Sequence, residues 1–371
     1  MDLSHRTITQ TGHYREMVVT GEAPELMLKL YSQVQKLRRI ELALKREYHP
    51  ADEIRCPVHF CIGQEAIPAA LSMVVEQRDY VFSHHRSHGY FFANHSPIRE
   101  LFAELYGRET GASGGRAGSQ DISHSASRFY SGAILGGAAS IGIGAAFGIQ
   151  LQKLPEIVFL GFGEACSEEG AFWEGMELVA AKKLPVVFIC ENNRYSTFSD
   201  QNKRLGRDNL REKVEAFGVP AVQIFGNDAP LALRTIRSAA NKARNGGGPS
   251  FIEAFTYRLS SHVGPEDDNI NNYRAPGEEE FWKDNCPIRL LAEKLTETGL
   301  LTPALDAEIE KEHERDIASY FAYAKGSAFP KVTEWSEMNW RSESPAADRL
   351  LSPEEANAFD HNQADTRITS Y

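Results

Sequence analysis

The stretch EIVFLGFGEACSEEGAFWEGMELVAAKKLPVVFICENNRY, residues 156–195, decides the fold. It opens on one apolar run, EIVFLG (156–161), and nears its end on a second, PVVFICE (185–191). Between them Phe172, Met176 and Val179 fall on one face of a helical period. Strand, helix, strand at this spacing is a βαβ unit, and its continuous apolar strands predict a parallel sheet buried on both sides. Farther out, AVQIF (221–225) and SFIEAF (250–255) read as strands alternating with a helix at 230–245, and Asp79–Ser83 as another strand. From Glu25 to Tyr48 the residues Leu26, Leu30, Val34, Leu37, Ile40 and Leu44 recur at three- and four-residue steps. That is an amphipathic helix with Lys and Arg on its wet side. Helices are also expected after Gly63 and over Ile98–Tyr106. Gly107–Gly132 is Gly/Ser-rich and too long for a simple connection, the mark of a functional loop. The whole predicts a doubly wound parallel α/β sheet with helices on both faces over residues 25–330. An N-terminal arm (1–24) precedes it and a polar tail (331–371) follows.

A net charge of −11 argues against a nucleic-acid binder, which would show a basic face. The five cysteines are odd in number and form no CxxC pair, which fits free thiols in a reducing cytoplasm. MDLSHRTITQTGHYRE has no apolar signal-peptide core, so a cytoplasmic location is expected. Ala133–Leu151 carries no charge and approaches the length of a membrane span. Built from Gly and Ala rather than Leu and Phe, it reads better as a tightly buried helix.

Two loops concentrate the chemistry. Gly161-Phe162-Gly163-Glu164 ends one strand and Glu191-Asn192-Asn193-Arg194-Tyr195 ends the next, so both open on the same edge of the sheet, where ligands of such folds sit. Glycine there lets backbone approach a diphosphate, and an Asn carbonyl suits Mg²⁺. Read alone, each loop is equally a tight turn or a polar connection.

The combination resembles a known family. Residues 161–195 are similar to the thiamine-diphosphate motif that begins Gly-Asp-Gly and ends Asn-Asn. The closest form is that of alpha subunits of the decarboxylating component of 2-oxo-acid dehydrogenases (pyruvate, branched-chain or acetoin). PVHFCIGQEAIPAAL (57–71), DYVFSHHRSHGYFFA (79–93), LFAELYGRETGASGGRAGS (101–119), SGAILGG (131–137) and TYRLSSHVGPEDD (256–268) follow in family order. The resemblance implies a thiamine-diphosphate-binding fold and can be carried over residue by residue. It implies diphosphate contacts from Arg86, whose planar fork suits phosphate oxygens, and from His85. His88 and His262 are implied as catalytic, with His262 also facing the cofactor. Ala133 and Leu135 would bond the aminopyrimidine through their backbone, and Leu135 would prop the cofactor bent so that its rings meet. Gly161, Gly163 and Glu164 would line the diphosphate, while Asn193 and the carbonyl of Tyr195 would ligate Mg²⁺.

Two positions depart from the pattern. The family's metal-binding aspartate is Phe162 here, leaving Glu164 as a candidate replacement ligand. The usual Gly-Gly-Ser-Met-His reads Ala117-Gly118-Ser119-Gln120-Asp121, where Asp121 is either an acid–base group or, preferably, the cap of a turn. The resemblance implies thiamine-diphosphate-dependent decarboxylation of a 2-oxo acid, with the acyl group passed to a lipoyl acyltransferase or another acceptor. It also implies an α2β2 assembly, since the glutamate that activates the cofactor comes from a beta subunit, and the Gly/Ala-rich helix 138–149 is a candidate for inter-subunit packing. Val263 stands where mitochondrial members carry a phosphorylated serine, so that control should be absent. The alternatives are a non-catalytic alpha-like subunit with a degenerate metal site, and a transketolase-like two-carbon transferase.

Overall fold

The computed structural model describes residues 17–51, 53, 54, 56–267 and 273–331. The expected polar tail, Lys331 aside, and residues 1–16 of the expected arm lie outside the described residues. The chain begins with helix α1 (Pro24–Ala51), α2 (Ala66–Ser72), strand β1 (Tyr80–Ser83), α3 (His88–Ala93) and α4 (Ile98–Leu105). Then come β2 (Ser123–His124), β3 (Phe129–Ser131), α5 (Gly137–Leu151), β4 (Val158–Gly163), α6 (Gly170–Lys182) and β5 (Val186–Asn192). A small hairpin, β6 (Tyr195–Ser196) and β7 (Ser199–Asp200), leads to α7 (Gln201–Arg204), α8 (Leu210–Ala216), β8 (Ala221–Phe225), α9 (Ala229–Arg244) and β9 (Ser250–Phe255). Helices α10 (Glu278–Asp284), α11 (Pro287–Glu297) and α12 (Pro303–Gly326) complete the described elements.

Seven strands form one sheet in the order β2-β3-β1-β4-β5-β9-β8, parallel throughout except for the short edge strand β2. Strand period two divides the apolar residues between two cores. Ile157, Phe159, Val187 and Ile189 face one side, against the buried stripe of α1 and the helices α2, α4 and α9. Val158, Leu160, Phe162, Val186, Phe188 and Cys190 face the other, against α5, α6 and α8. Helices therefore cover both faces, as the apolar strands predict. Two expectations need correction. The basic flank of α1 is not all wet, because Arg38 forks onto the carboxylate of Glu65, which is buried. Nor is α5 tightly buried all round: Ala139, Gly142, Ile143, Ala146 and Ile149 are buried, while Ile141 is 66% and Leu151 67% exposed. Gly142 is needed on the packed side, since a Cβ there would come within 2.4 Å of Leu160. Among the described residues no helix is long and apolar enough to cross a membrane.

The long Gly/Ser-rich segment is ordered from outside itself. Glu104, at the end of α4 and buried, accepts backbone N–H bonds from Ser113 (2.8 Å) and Gly115 (2.9 Å) on one oxygen. Its other oxygen takes Ala117 (2.7 Å) and Gly118 (3.2 Å). The glycines make room for this: a Cβ on Gly111 would sit 2.5 Å from the Glu104 carboxylate, and Gly115 (φ +73°) lies against the backbone of Arg108. The segment then supplies β2 and β3, which sequence period did not show. Glu104→Gln leaves only one oxygen to accept and turns an NH2 toward two donors. It should cost about 2–4 kcal/mol in urea unfolding, by the penalty for buried unpaired donors. Hydrogen exchange at residues 113–118 should quicken while the sheet stays protected.

Candidate active site

The chain leaves β1 toward β3 and leaves β4 toward β5, so neighbouring strands β1 and β4 diverge at their carboxyl ends, where a doubly wound sheet opens a ligand crevice. Ser83, His84, Leu135, Gly136, Gly161 and Phe162 line it. Gly161 is fixed by a neighbour as well as by any ligand, since a Cβ there would meet the Tyr90 ring at 2.1 Å, whereas a Cβ on Gly163 would meet nothing within 4 Å.

Arg86 lies in the bend between β1 and α3 and is buried. Its guanidinium donates to the carbonyls of Phe60 and His262, the latter at 3.3 Å. Among the described residues no carboxylate forms an ion pair with it. Burial, reinforced by nearby Arg258, depresses its pKa to about 10, so the cation is held at a cost. Beside it stand three imidazoles, His59, His85 and His262, whose ring centroids are 4.7, 4.9 and 5.4 Å apart. Burial, with Arg86 and the other histidines adding to it, drives the pKa of His85 far down, that of His59 likewise, and that of His262 to about 3, so all three are neutral at pH 7.

A polar chain crosses from β1 to β5. His84 Nε2 approaches a Glu191 oxygen at 3.9 Å, Gln64 donates to Glu191 at 3.4 Å, and Asn193 donates to Gln64 at 3.2 Å. Among the described residues the Ser83 hydroxyl and His84 Nδ1 are buried with no hydrogen-bond partner, while His84 Nε2 and the Tyr90 hydroxyl have only Glu191 near them. Buried polar atoms are rarely left so, and these sit at the crevice. A site with an uncompensated guanidinium and orphaned donors fits an anionic, oxygen-rich ligand such as a diphosphate.

The expected metal position fits less well. Asn193 Oδ1 accepts the Tyr195 N–H at 3.1 Å across Arg194, whose φ of +73° forms the turn, and the Tyr195 hydroxyl donates to Glu278 at 2.7 Å. One carbonyl lone pair of Asn193 and the Tyr195 carbonyl remain as hard ligands. Phe162 follows the strand alternation of Val158 and Leu160 into the second core, its ring 5.3 Å from Phe172 and 6.0 Å from Phe251. Glu164 is no substitute: buried, it accepts from Arg204 at 2.7 Å. Burial raises its pKa and Arg204 opposes the rise. Among the described residues neither Phe162 nor Glu164 offers Mg²⁺ a free carboxylate, and Glu191, linked to Asn193 through Gln64, is the carboxylate that remains near the expected metal position.

Other expected residues have definite places. His88 is fully buried with both nitrogens engaged, Nδ1 to Glu41 at 2.7 Å and Nε2 to Ser119 at 2.9 Å. In this arrangement it pins the ordered loop to α1 through both nitrogens. Asp121 Oδ1 accepts the Ala133 N–H at 2.9 Å, a bond to a segment twelve residues on rather than the cap of a local turn. Ala133 and Asp121 border an open cleft of about 520 Å³ with Tyr130, Ile134 and Ile141.

Residues 32–333 match the family of dehydrogenase E1 components. This chain belongs to that family. Among its relatives, the pyruvate dehydrogenase E1 component subunit alpha of Rhizobium meliloti (strain 1021) is 29% identical, covering 83% of this chain and 88% of the relative. The human somatic mitochondrial form is 29% identical over 86% of this chain and 80% of its own length. The Porphyra purpurea subunit is 29% identical over 75% and 82%. These bear out the resemblance to alpha subunits. The sequence reading gave no part to His59, Gln64 or His84, which the structure brings to the same sheet edge as Glu191. His59 and Gln64 lie in the quoted block PVHFCIGQEAIPAAL, and their order there was the available signal.

Phe162→Asp places a carboxylate among Phe172, Phe188 and Phe251 and removes a buried ring that contributes about 2–3 kcal/mol. It should destabilise the isolated chain by at least about 3 kcal/mol in urea unfolding, since a buried charge without a partner is added to the loss.

Proposed function

We propose that this chain is the alpha subunit of a thiamine-diphosphate-dependent enzyme that decarboxylates a 2-oxo acid and passes the acyl group to a lipoyl acyltransferase or another acceptor. The observation that carries this is the buried guanidinium of Arg86, unpaired by any described carboxylate, at the switch point of an E1 component sheet. When bound, thiamine diphosphate supplies an electron sink for the pair released as CO2 departs. Arg86 binds the diphosphate by its planar fork. His85 and the orphaned Ser83 and His84 present further polar atoms on that side. Leu135 lines the crevice and its bulk would press the cofactor's rings together, while backbone groups of Ala133 and Leu135 would orient the aminopyrimidine. His262, neutral at pH 7, holds a proton on one ring nitrogen and accepts at the other, and an arriving anion favours its protonated form. Asn193 through its side-chain carbonyl and Tyr195 through its backbone carbonyl are the residues that would hold Mg²⁺, with water in place of the aspartate.

A beta subunit completes the site, giving α2β2 in the cytoplasm. Support comes from the open cleft at Ala133 and from the exposed apolar residues Ile134 and Ile141 that line it, an apolar surface of the kind a partner covers. The aromatic surroundings of Phe162 favour a second reading, an alpha-like subunit that supports its partner without binding cofactor.

For the chain co-expressed with its beta partner, Arg86→Ala should weaken thiamine diphosphate in calorimetry by about 100-fold or more, the scale of removing one member of a buried charge pair. Arg86→Lys should fall between, keeping charge without the fork. Equal affinity in all three would sink the assignment of Arg86, and no binding in the wild type would select the second reading.

A further inference from the structure

We propose that Glu253 is a positioning residue for the turn after β5: through Asn192 it fixes the backbone that presents Asn193 and Tyr195. The inference rests on the decarboxylase reading, in which those two residues hold Mg²⁺. Glu253 lies on β9, beside Cys190 of β5 and Gln223 of the edge strand β8. It is fully buried, and by strand alternation it shares the face of Phe251 in the second core. Among the described residues no cation pairs with it. Its partners are two amides, one to each oxygen: Asn192 Nδ2 donates at 2.8 Å and Gln223 Nε2 at 2.9 Å. Burial pushes its carboxyl up to about 7, with the two amides opposing the rise and Asp208 and Glu164 adding to it. An apolar side chain would fill this place at less cost than a carboxylate. A carboxylate held there against stability points to a part in the neighbouring site.

An ionised carboxylate only accepts hydrogen bonds, so it decides which way a neighbouring amide points. Asn192 turns its NH2 to Glu253, and its Oδ1 then faces the turn and accepts the Arg194 N–H at 3.0 Å. That bond helps to hold Arg194 in the left-handed region (φ +73°), which a residue with a Cβ keeps only when its surroundings fix it. The left-handed step brings the Tyr195 N–H to Asn193 Oδ1 at 3.1 Å. The oxygens expected to meet the metal thus take their places from a carboxylate on the next strand. Outer-shell partners of this kind orient the atoms that touch a metal. Gln223 differs: it bonds the other oxygen of Glu253 and, among the described residues, makes no hydrogen bond to the turn.

The full chain with its beta partner and thiamine diphosphate is titrated with Mn²⁺, free and bound ion being read by electron spin resonance. Mn²⁺ takes the same oxygen ligands as Mg²⁺. Glu253→Met fills the space but leaves Asn192 without its acceptor, and should weaken Mn²⁺ by about 10- to 100-fold, the range of an outer-shell change. Glu253→Asp keeps the charge but draws the oxygens back; the same loss is expected, and it covers a failure of Glu253→Met to assemble. Glu253→Gln should keep wild-type affinity. Its carbonyl accepts from Asn192, and its NH2 meets the unpartnered Gln223 Oε1 once that amide flips. Gln223→Met removes a bond of the same kind to Glu253 and should leave Mn²⁺ affinity unchanged. In the cofactor-free complex, hydrogen exchange at Arg194 and Tyr195 should quicken in Glu253→Met and not in Gln223→Met. Wild-type affinity in both Glu253→Met and Glu253→Asp, or equal losses in Glu253→Met and Gln223→Met, would overturn this inference alone. A folded wild-type complex that binds neither cofactor nor Mn²⁺ would sink the decarboxylase reading, and this inference with it.

Discussion

A guanidinium buried at the carboxyl end of β1 has to be offset, and much of the sheet edge is arranged around that need. Arg86 is fixed by two carbonyls from distant segments, which brings His59 and His262 to the same place as His85. Two carbonyl dipoles hold the group but do not cancel its charge, and burying an ion costs several kcal/mol even after relaxation. The fold sustains this because the surrounding frame is strongly determined. Glu41 ties His88 to the Cys61 N–H, and Asp79 receives a fork from Arg244. The remaining electrostatic deficit is what an anionic ligand removes on binding.

Phe162 changes which part of the site bears the charge. In a hard-cation site a carboxylate attracts the metal and the metal attracts the diphosphate. Here the corresponding side chain contributes to the second core, and Glu164, the expected replacement, is already committed to Arg204. Anion affinity then falls mainly to Arg86 and the histidines around it, while Asn193 offers only neutral oxygen. The same substitution stabilises the free protein by adding an aromatic contact and removing a buried carboxylate.

The parts of the fold that depend on period were legible. β4 and β5 alternate between two cores, and Leu30, Val34, Leu37, Ile40 and Leu44 lie along the buried stripe of α1. The parts that depend on a distant partner were not. Nothing near residues 113–118 announces that Glu104 will collect their N–H groups, so β2 and β3 stayed hidden in a loop. Helix α3, HGYFFA, is too short and too uniformly apolar to show a period. At the site, Arg86, Leu135, Gly161 and Asn193 were readable from the motif order. His84 was not, because its burial and its approach to Glu191 across the sheet edge are properties of three-dimensional surroundings. The loss of aspartate at position 162 was plain in sequence, and the alternation with Val158 and Leu160 gives the direction its replacement takes.

The central claim is that the crevice between β1 and β4 is an anion site able to hold thiamine diphosphate without the metal-binding aspartate. Its most direct test is calorimetric titration of thiamine diphosphate into the unaltered chain, co-purified with its beta partner, with Mg²⁺ and then with chelator. The account predicts saturable binding with Mg²⁺ and measurable, weaker binding in chelator, because Arg86 supplies charge that needs no metal. Absence of binding under both conditions, in a folded complex, would contradict it.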